Sequence, residues 1–243
     1  MRRLAGVLVI YISVGILVLT GFSASAQLRD NLNLPESDNK PFYLGIGILY
    51  ARSHFQISAH PSFLQSDSVL SVNSTNNTGV GLTGFFNFRI SKHFHFRVVF
   101  PELIFSSQNL VYTLKDPASG NTSSVSKQIE SITAGMPLQI KFTSDRIHNF
   151  RVYMIAGGSF QYDLASNATA RKAQDLVKLK PYDFSVQAGI GLQFYLPMII
   201  LSPELKISNG LINVHSRDPN LIYSSVIDKL NSRMIVFSLI IEG

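Results

Sequence analysis

Residues 80–100 read VGLTGFFNFRISKHFHFRVVF, and this stretch decides the fold. Val80, Leu82, Phe86, Phe88 and Ile90 fall on one parity, with Thr83, Asn87 and Arg89 on the other. After the turn Ser91-Lys92-His93 the same code resumes, with Phe94, Phe96, Val98 and Phe100 against His95 and Arg97. Successive side chains of a strand point to opposite faces, so this is a hairpin with one greasy face and one polar face. A strand with lipid on one side and a polar interior on the other carries this pattern.

The code extends in both directions. Residues 42–57 make a first strand, with Leu44, Ile46, Ile48 and Tyr50 on the apolar parity and Gly45 and Gly47 on the other, leaving room inside for long side chains from across a narrow lumen. Further apolar sets follow at Ile132 to Phe142, Phe150 to Phe160, Phe184 to Phe194, Leu201 to Ile207 and Ile235 to Ile241. Pro101-Glu102 and Pro137 interrupt the alternation; proline inside a ladder predicts a bulge there. Connections alternate: long at 58–78, 116–124, 164–181 and 209–231, short at 91–93, 145–149 and 196–198. The expected fold is therefore all-β, an eight-stranded antiparallel up-and-down transmembrane β-barrel of the small outer-membrane type, with short periplasmic turns and long outer loops. The competing architecture is a soluble lipocalin-type barrel with the apolar parity turned inward.

A removable leader agrees with that location. Arg2 and Arg3 precede an apolar stretch from Leu4 to Phe22, and Ala24-Ser25-Ala26 provides a cleavage site. The chain divides into a signal peptide at 1–26, a periplasmic lead-in at 27–41 and a barrel domain at 42–243, placed in the bacterial outer membrane after cleavage. Beyond the leader no run of about 18 apolar residues occurs, which excludes helical spanning. Yet 46% hydrophobic residues with 17 Phe and only 15% charged residues is oily for a soluble secreted domain, and outward-facing apolar side chains reconcile the two. With no Cys, disulfides and thiolate metal sites are absent. The formal charge of +6 includes the two leader arginines, and without a dense basic cluster nucleic acid is not an expected partner.

An eight-stranded barrel has an interior that side chains fill, so it is a plug and not a pore. The inward parity carries Arg89, Arg97, Lys141, Arg151, Glu204 and Lys206. Buried charges must pair, so a structural lumen network of Arg89, Arg97, Arg151, Glu204 and Lys206 is expected. Chemistry finds little support. His93, His95 and His148 fall at periplasmic turns, and His54, His60 and His215 toward the outer rim, without a recognisable partner pattern for catalysis. His93 and His95 share a strand face, but no third metal ligand is visible. No catalytic, metal or cofactor site is expected. Arg171, Lys172, Lys178 and Lys180 in the third long loop read as a solvated surface, and as phosphate ligands for lipopolysaccharide only secondarily. The Asn73-Ser74-Thr75 and Asn76-Asn77-Thr78 acceptor patterns are loop composition.

From the fifth strand onward an ordered series of segments carries a likeness: Ile147-His148-Asn149-Phe150-Arg151, Tyr153, Gly157-Gly158, Tyr162-Asp163-Leu164-Ala165, and Asp183-Phe184 through Gly189 and Gly191 to Phe194-Tyr195-Leu196-Pro197. Ser202-Pro203-Glu204-Leu205-Lys206 and Ile227-Asp228-Lys229-Leu230-Asn231-Ser232-Arg233 continue it, and Leu34-Pro35 with Asp38 and Lys40 adds a weaker N-terminal match. In these pieces the chain resembles the PorT family of outer-membrane barrels of type IX secretion and gliding motility. The first two long loops do not share the likeness, and Glu242-Gly243 departs from the terminal aromatic common in outer-membrane barrels. The resemblance implies a non-enzymatic accessory role in exporting cargo with C-terminal sorting domains. It implies as partners other secretion-system proteins, beside the lipid and lipopolysaccharide that surround a monomeric barrel. It assigns no catalytic or binding residue.

Overall fold

The computed structural model describes residues 32–60, 69–115, 121–166, 179–216, 224 and 226–243. The expected signal peptide, residues 27–31 of the lead-in and Arg171, Lys172 and Lys178 lie outside them. Among these residues nine strands follow a 3-10 turn at Pro35–Asn39: β1 Phe42–Ala59, β2 Val69–Thr75, β3 Asn77–Arg89, β4 Phe94–Lys115, β5 Thr122–Thr143, β6 Phe150–Asp163, β7 Tyr182–Tyr195, β8 Ile200–Gly210 and β9 Ile227–Glu242. β2 and β3 are two parts of one stave. β2 pairs with Asn109 to Leu114 of β4 and β3 with His95 to Ser106 of the same strand. Each sequential stave is antiparallel to the next, β4 pairs with β5, and β1 pairs with β9, which closes a ring of eight. Closure leaves no sheet edge within the ring, the condition for strands to cross lipid.

The apolar parity faces out. Ile46, Ile48, Val80, Leu82, Phe100, Met154 and Ile190 are all more than half exposed, and the outward sets of the other strands follow them. An apolar band around the whole outside of a closed sheet fits lipid, and it reverses the order of a lipocalin-type barrel. Across the inner wall, Phe85 lies over Gly45 and Tyr153 over Gly191, each glycine being the direct cross-strand partner of the ring that covers it. Gly45 and Gly191 thus make space for an aromatic side chain of the adjacent strand, and Gly47 for the backbone and Ile240 of its neighbour, not for side chains reaching across the lumen.

The expected irregularity at the prolines is present and shared by two strands. Val98 pairs with Leu138 and Glu102 with Gly135, so residues 99–101 face only 136 and 137. Pro101 and Pro137 therefore meet across the same bulge, where a missing N–H does not break a ladder bond. The bulge also shifts the parity of β4, turning Glu102 into the lumen, where it is 2% exposed.

Beyond the outer boundary of the band the code inverts. On β5 the outward parity passes from Phe142, Ile140 and Leu138 to Glu130, Gln128 and Ser126, while Ile129 turns inward. On β1 it passes from Tyr50 to Arg52 and on β9 from Ile235 to Arg233. Above these residues Phe55, Leu110, Tyr112, Ile129 and Leu230 point inward and form an apolar core with Val69, Leu179, Val214, Val226 and Ile227. The outer part of the barrel is built like a water-soluble protein. This explains why the segment read as the first long loop, 58–78, contains all of β2: facing water, it has Ser and Asn where lipid would demand apolar residues, so its alternation is weak. It also accounts for the 22-residue length of β4 and β5, since about 9–11 residues suffice to cross.

Placement in lipid makes a direct prediction. Leu138→Arg, in the middle of the apolar band of β5, is expected to cost about 2–4 kcal/mol of folding free energy in vesicles. Gln128→Arg, on the same parity beyond the boundary, is expected to stay within about 0.5 kcal/mol. Urea unfolding of the vesicle-inserted protein measures both.

Candidate functional site

The lumen holds three cations and three carboxylates, each at most 3% exposed: Arg97, Lys141 and Lys206 with Glu102, Glu204 and Glu242. Arg97 Nη1 donates to Glu204 Oε2 at 2.6 Å, and the Tyr153 hydroxyl donates to the same oxygen at 2.8 Å. Lys206 Nζ meets Glu102 Oε2 at 2.5 Å. Lys141 Nζ lies 3.4 Å from both oxygens of Glu242, which also accepts from Gln193 at 2.8 Å. Arg97 reaches Glu242 at 3.8 Å, stacks over Phe85 at 4.3 Å and donates to Asn87. Gln139 bonds Gln187 at 2.8 Å. The charges balance and the side chains cross from wall to wall, as buried ions require. Among the described residues these side chains fill the section of the lumen that they cross.

A second group sits at the periplasmic mouth. The segment around the 3-10 turn crosses that opening as a strap. Arg151 Nη2 donates to Asp38 Oδ1 at 2.8 Å, Arg146 Nη1 to Asp38 Oδ2 at 3.3 Å, and Arg89 to the Asp38 carbonyl oxygen. Arg146 also bonds the Asn33 carbonyl, Asn149 Oδ1 at 2.8 Å and the His148 carbonyl at 2.7 Å, and stacks on Tyr195 at 3.7 Å. Asn33 is held in turn by Asn149 Oδ1 and the Tyr195 carbonyl. Leu34 and His148, both non-glycine residues with positive φ, belong to this contact; such backbone is uncommon outside glycine and concentrates at functional contacts.

Of the charges read from sequence, Arg97, Glu204 and Lys206 come together in the lumen, joined by Lys141. Arg89 and Arg151 do not join them; they lie at the mouth on Asp38. Three partners were not read from the sequence. Glu102 is hidden by the bulge that shifts its parity, Glu242 by its place at the end of the last strand, and Asp38 by lying in a segment without periodicity. A count of inward charge gave the signal: five cations against one carboxylate required further acids.

The histidines divide as expected, with one addition. His93 Nδ1 lies 2.9 Å from the Thr143 carbonyl oxygen and His95 is buried, and among the described residues no group of three potential ligands could hold a metal. His215 Nε2, for which the sequence gave no partner, meets Ser224 Oγ at 3.0 Å, both buried. Lys180 of the third loop donates to the Asn213 carbonyl. Outside the lipid band, the hydrogen bond from Lys92 holds the Asp145 carboxyl below its usual range, and partial burial, with Arg233 and Arg52 beside it, lowers His54.

The sequence of residues 26–216 matches the family model described as the outer membrane protein beta-barrel domain. The chain belongs to this family. Among solved structures it is similar to the outer membrane protein OprG of Pseudomonas aeruginosa (13% identity, 83% of this chain and 95% of that one, TM-score 0.45). Neisserial surface protein A is also similar (11% identity, 83% and 96%, TM-score 0.40). So is Ail, the attachment invasion locus protein of Yersinia pestis, in complex with the heparin analogue sucrose octasulfate (11% identity, 84% and 100%, TM-score 0.36). No curated protein matches the sequence. Membership in the family places this barrel in the outer membrane, with its short turns toward the periplasm.

Proposed function

We propose that this outer-membrane barrel is a closed, non-enzymatic accessory of protein export of the type IX class, serving cargo with C-terminal sorting domains and gliding-related secretion. The observation that carries the reading is where the PorT-like segments meet. Leu34-Pro35 with Asp38, Asn149 to Arg151, and Tyr195 are far apart in sequence, yet they join at the periplasmic mouth through Arg151–Asp38, Asn33–Asn149 and Asn33–Tyr195 contacts. Another such segment supplies Glu204 and Lys206 to the lumen network. A barrel whose lumen is crossed by ion pairs acts through its surfaces, and the periplasmic surface is where export components approach. Its partners are then other secretion-system proteins, with lipid and lipopolysaccharide around a single barrel. Deleting the gene should trap sorting-domain cargo in the periplasm, and normal export from the deletion strain contradicts the reading.

A second reading, a structural or adhesive barrel, draws on the outer extension of β2, β4 and β5 with its own apolar core. It predicts intact export with altered surface binding or envelope integrity in the same strain.

A further inference from the structure

We propose that the periplasmic mouth is a recognition site for an acidic, partly apolar peptide segment of a periplasmic partner, and that the chain's own strap at 33–40 occupies it until displaced. The inference deepens the export reading and rests on it for the partner's compartment and kind.

Three observations carry it. The first is charge. Three guanidinium groups, those of Arg89, Arg146 and Arg151, converge on one residue, and a single carboxylate, that of Asp38, faces Arg146 and Arg151. The Arg146 and Arg151 side chains are 5% and 14% exposed, so their field is concentrated beneath the strap. Planar guanidinium groups of this kind suit carboxylates, which they bind through paired hydrogen bonds.

The second is fit. Beside the strap lies a cavity of about 470 Å³, within the range of ligand pockets, whose apolar lining comes from Leu34 and Pro35 of the strap and Met198 and Ile200 of the barrel. His95, Gln193 and Arg151 also line it. His95 Nδ1, Gln193 Oε1 and Arg151 Nε are buried and have no hydrogen-bond partner among the described residues, although His95 and Gln193 are 6% and 2% exposed. Buried polar groups are nearly always paired, so the strap satisfies this site only in part. An extended peptide with a carboxylate in the arginine cluster, apolar side chains on Met198 and Ile200 in place of Leu34 and Pro35, and backbone amides toward Gln193 and His95 satisfies more of it.

The third is attachment. The 3-10 turn has no buried residue, and Leu34 before it is left-handed. The strap is pinned at its ends, by Asn33 and Asp38, with little apolar burial between. Such a segment can leave at modest cost, and any loosening raises apparent affinity for a competitor by increasing the fraction of open sites.

The test uses the full chain in nanodiscs of zwitterionic lipid and a fluorescent twelve-residue peptide of alternating Asp and Leu, with its Asn analogue, followed by anisotropy. Wild type should bind the Asp peptide with an affinity that falls as salt rises. Asp38→Asn and, independently, Asn33→Ala should each tighten binding by about tenfold or more by freeing the strap. The Arg146→Gln/Arg151→Gln double variant should abolish it. Heat-modifiable migration confirms that every variant is folded. Equal binding of the Asn analogue, no gain in either strap variant, or binding to anionic-lipid vesicles without peptide binding overturns the inference. Cargo retention on gene deletion without peptide binding removes this inference and leaves the export reading; peptide binding with normal export does the reverse.

Discussion

Replacing Glu204 with leucine is expected to cost the folded barrel about 3–5 kcal/mol, the loss that follows when one partner of a buried ion pair is removed. Glu204 is 3% exposed and accepts from both Arg97 and Tyr153. Without it, the nearest carboxylate to Arg97 is Glu242 at 3.8 Å, which Lys141 already engages. The cost comes from stranding a charge and not from losing a pair, so the Glu204→Leu/Arg97→Met double variant should recover most of the stability. Glu204→Gln should fall between, because an amide oxygen can still accept a hydrogen bond. Urea titration of the vesicle-inserted protein, read by heat-modifiable migration, orders the three variants. A double variant no better than the single would show that the network is not held by charge balance.

Gly191→Ala is the second large effect, expected near 3 kcal/mol from overpacking and the loss of a charged hydrogen bond. A Cβ built at Gly191 falls 2.2 Å from Tyr153 Cζ and 2.4 Å from its hydroxyl oxygen. The ring cannot simply swing away, since its hydroxyl donates to Glu204 and Lys141 Nζ lies 4.1 Å from its centroid. Moving the ring therefore disturbs the ionic layer as well as the packing. Trimming the ring should relieve the clash: Gly191→Ala/Tyr153→Leu should be more stable than Gly191→Ala alone in the same titration. If the two substitutions add as independent losses, the glycine does not serve the tyrosine.

The eight staves were legible because lipid forces every outward residue of a crossing strand to be apolar, and period two then shows directly, as in Val80 to Phe100. The direction of that parity was not legible from alternation alone. It became so with the exposed band, with Ile46 and Val80 facing out and Asn87 and Gln139 facing in. Where lipid ends the rule ends, so β2 and the outer ends of β5 (122–124) and β9 (227–231) read as loops despite being paired strands. The lumen was half legible. Arg97, Glu204 and Lys206 sit on clean inward parity, whereas Glu102 follows a bulge that resets the count. The mouth was least legible, because Asp38 lies in a strap without period and binds Arg151 across more than a hundred residues; only its sequence resemblance marked it.

We propose that the lumen is closed by its own charges and that this barrel works through its surfaces. Recording from the purified protein in planar lipid bilayers tests it most directly. Silent membranes are expected from the wild-type protein at ordinary salt and voltage. Stable, stepwise conductance through the wild-type barrel would contradict it.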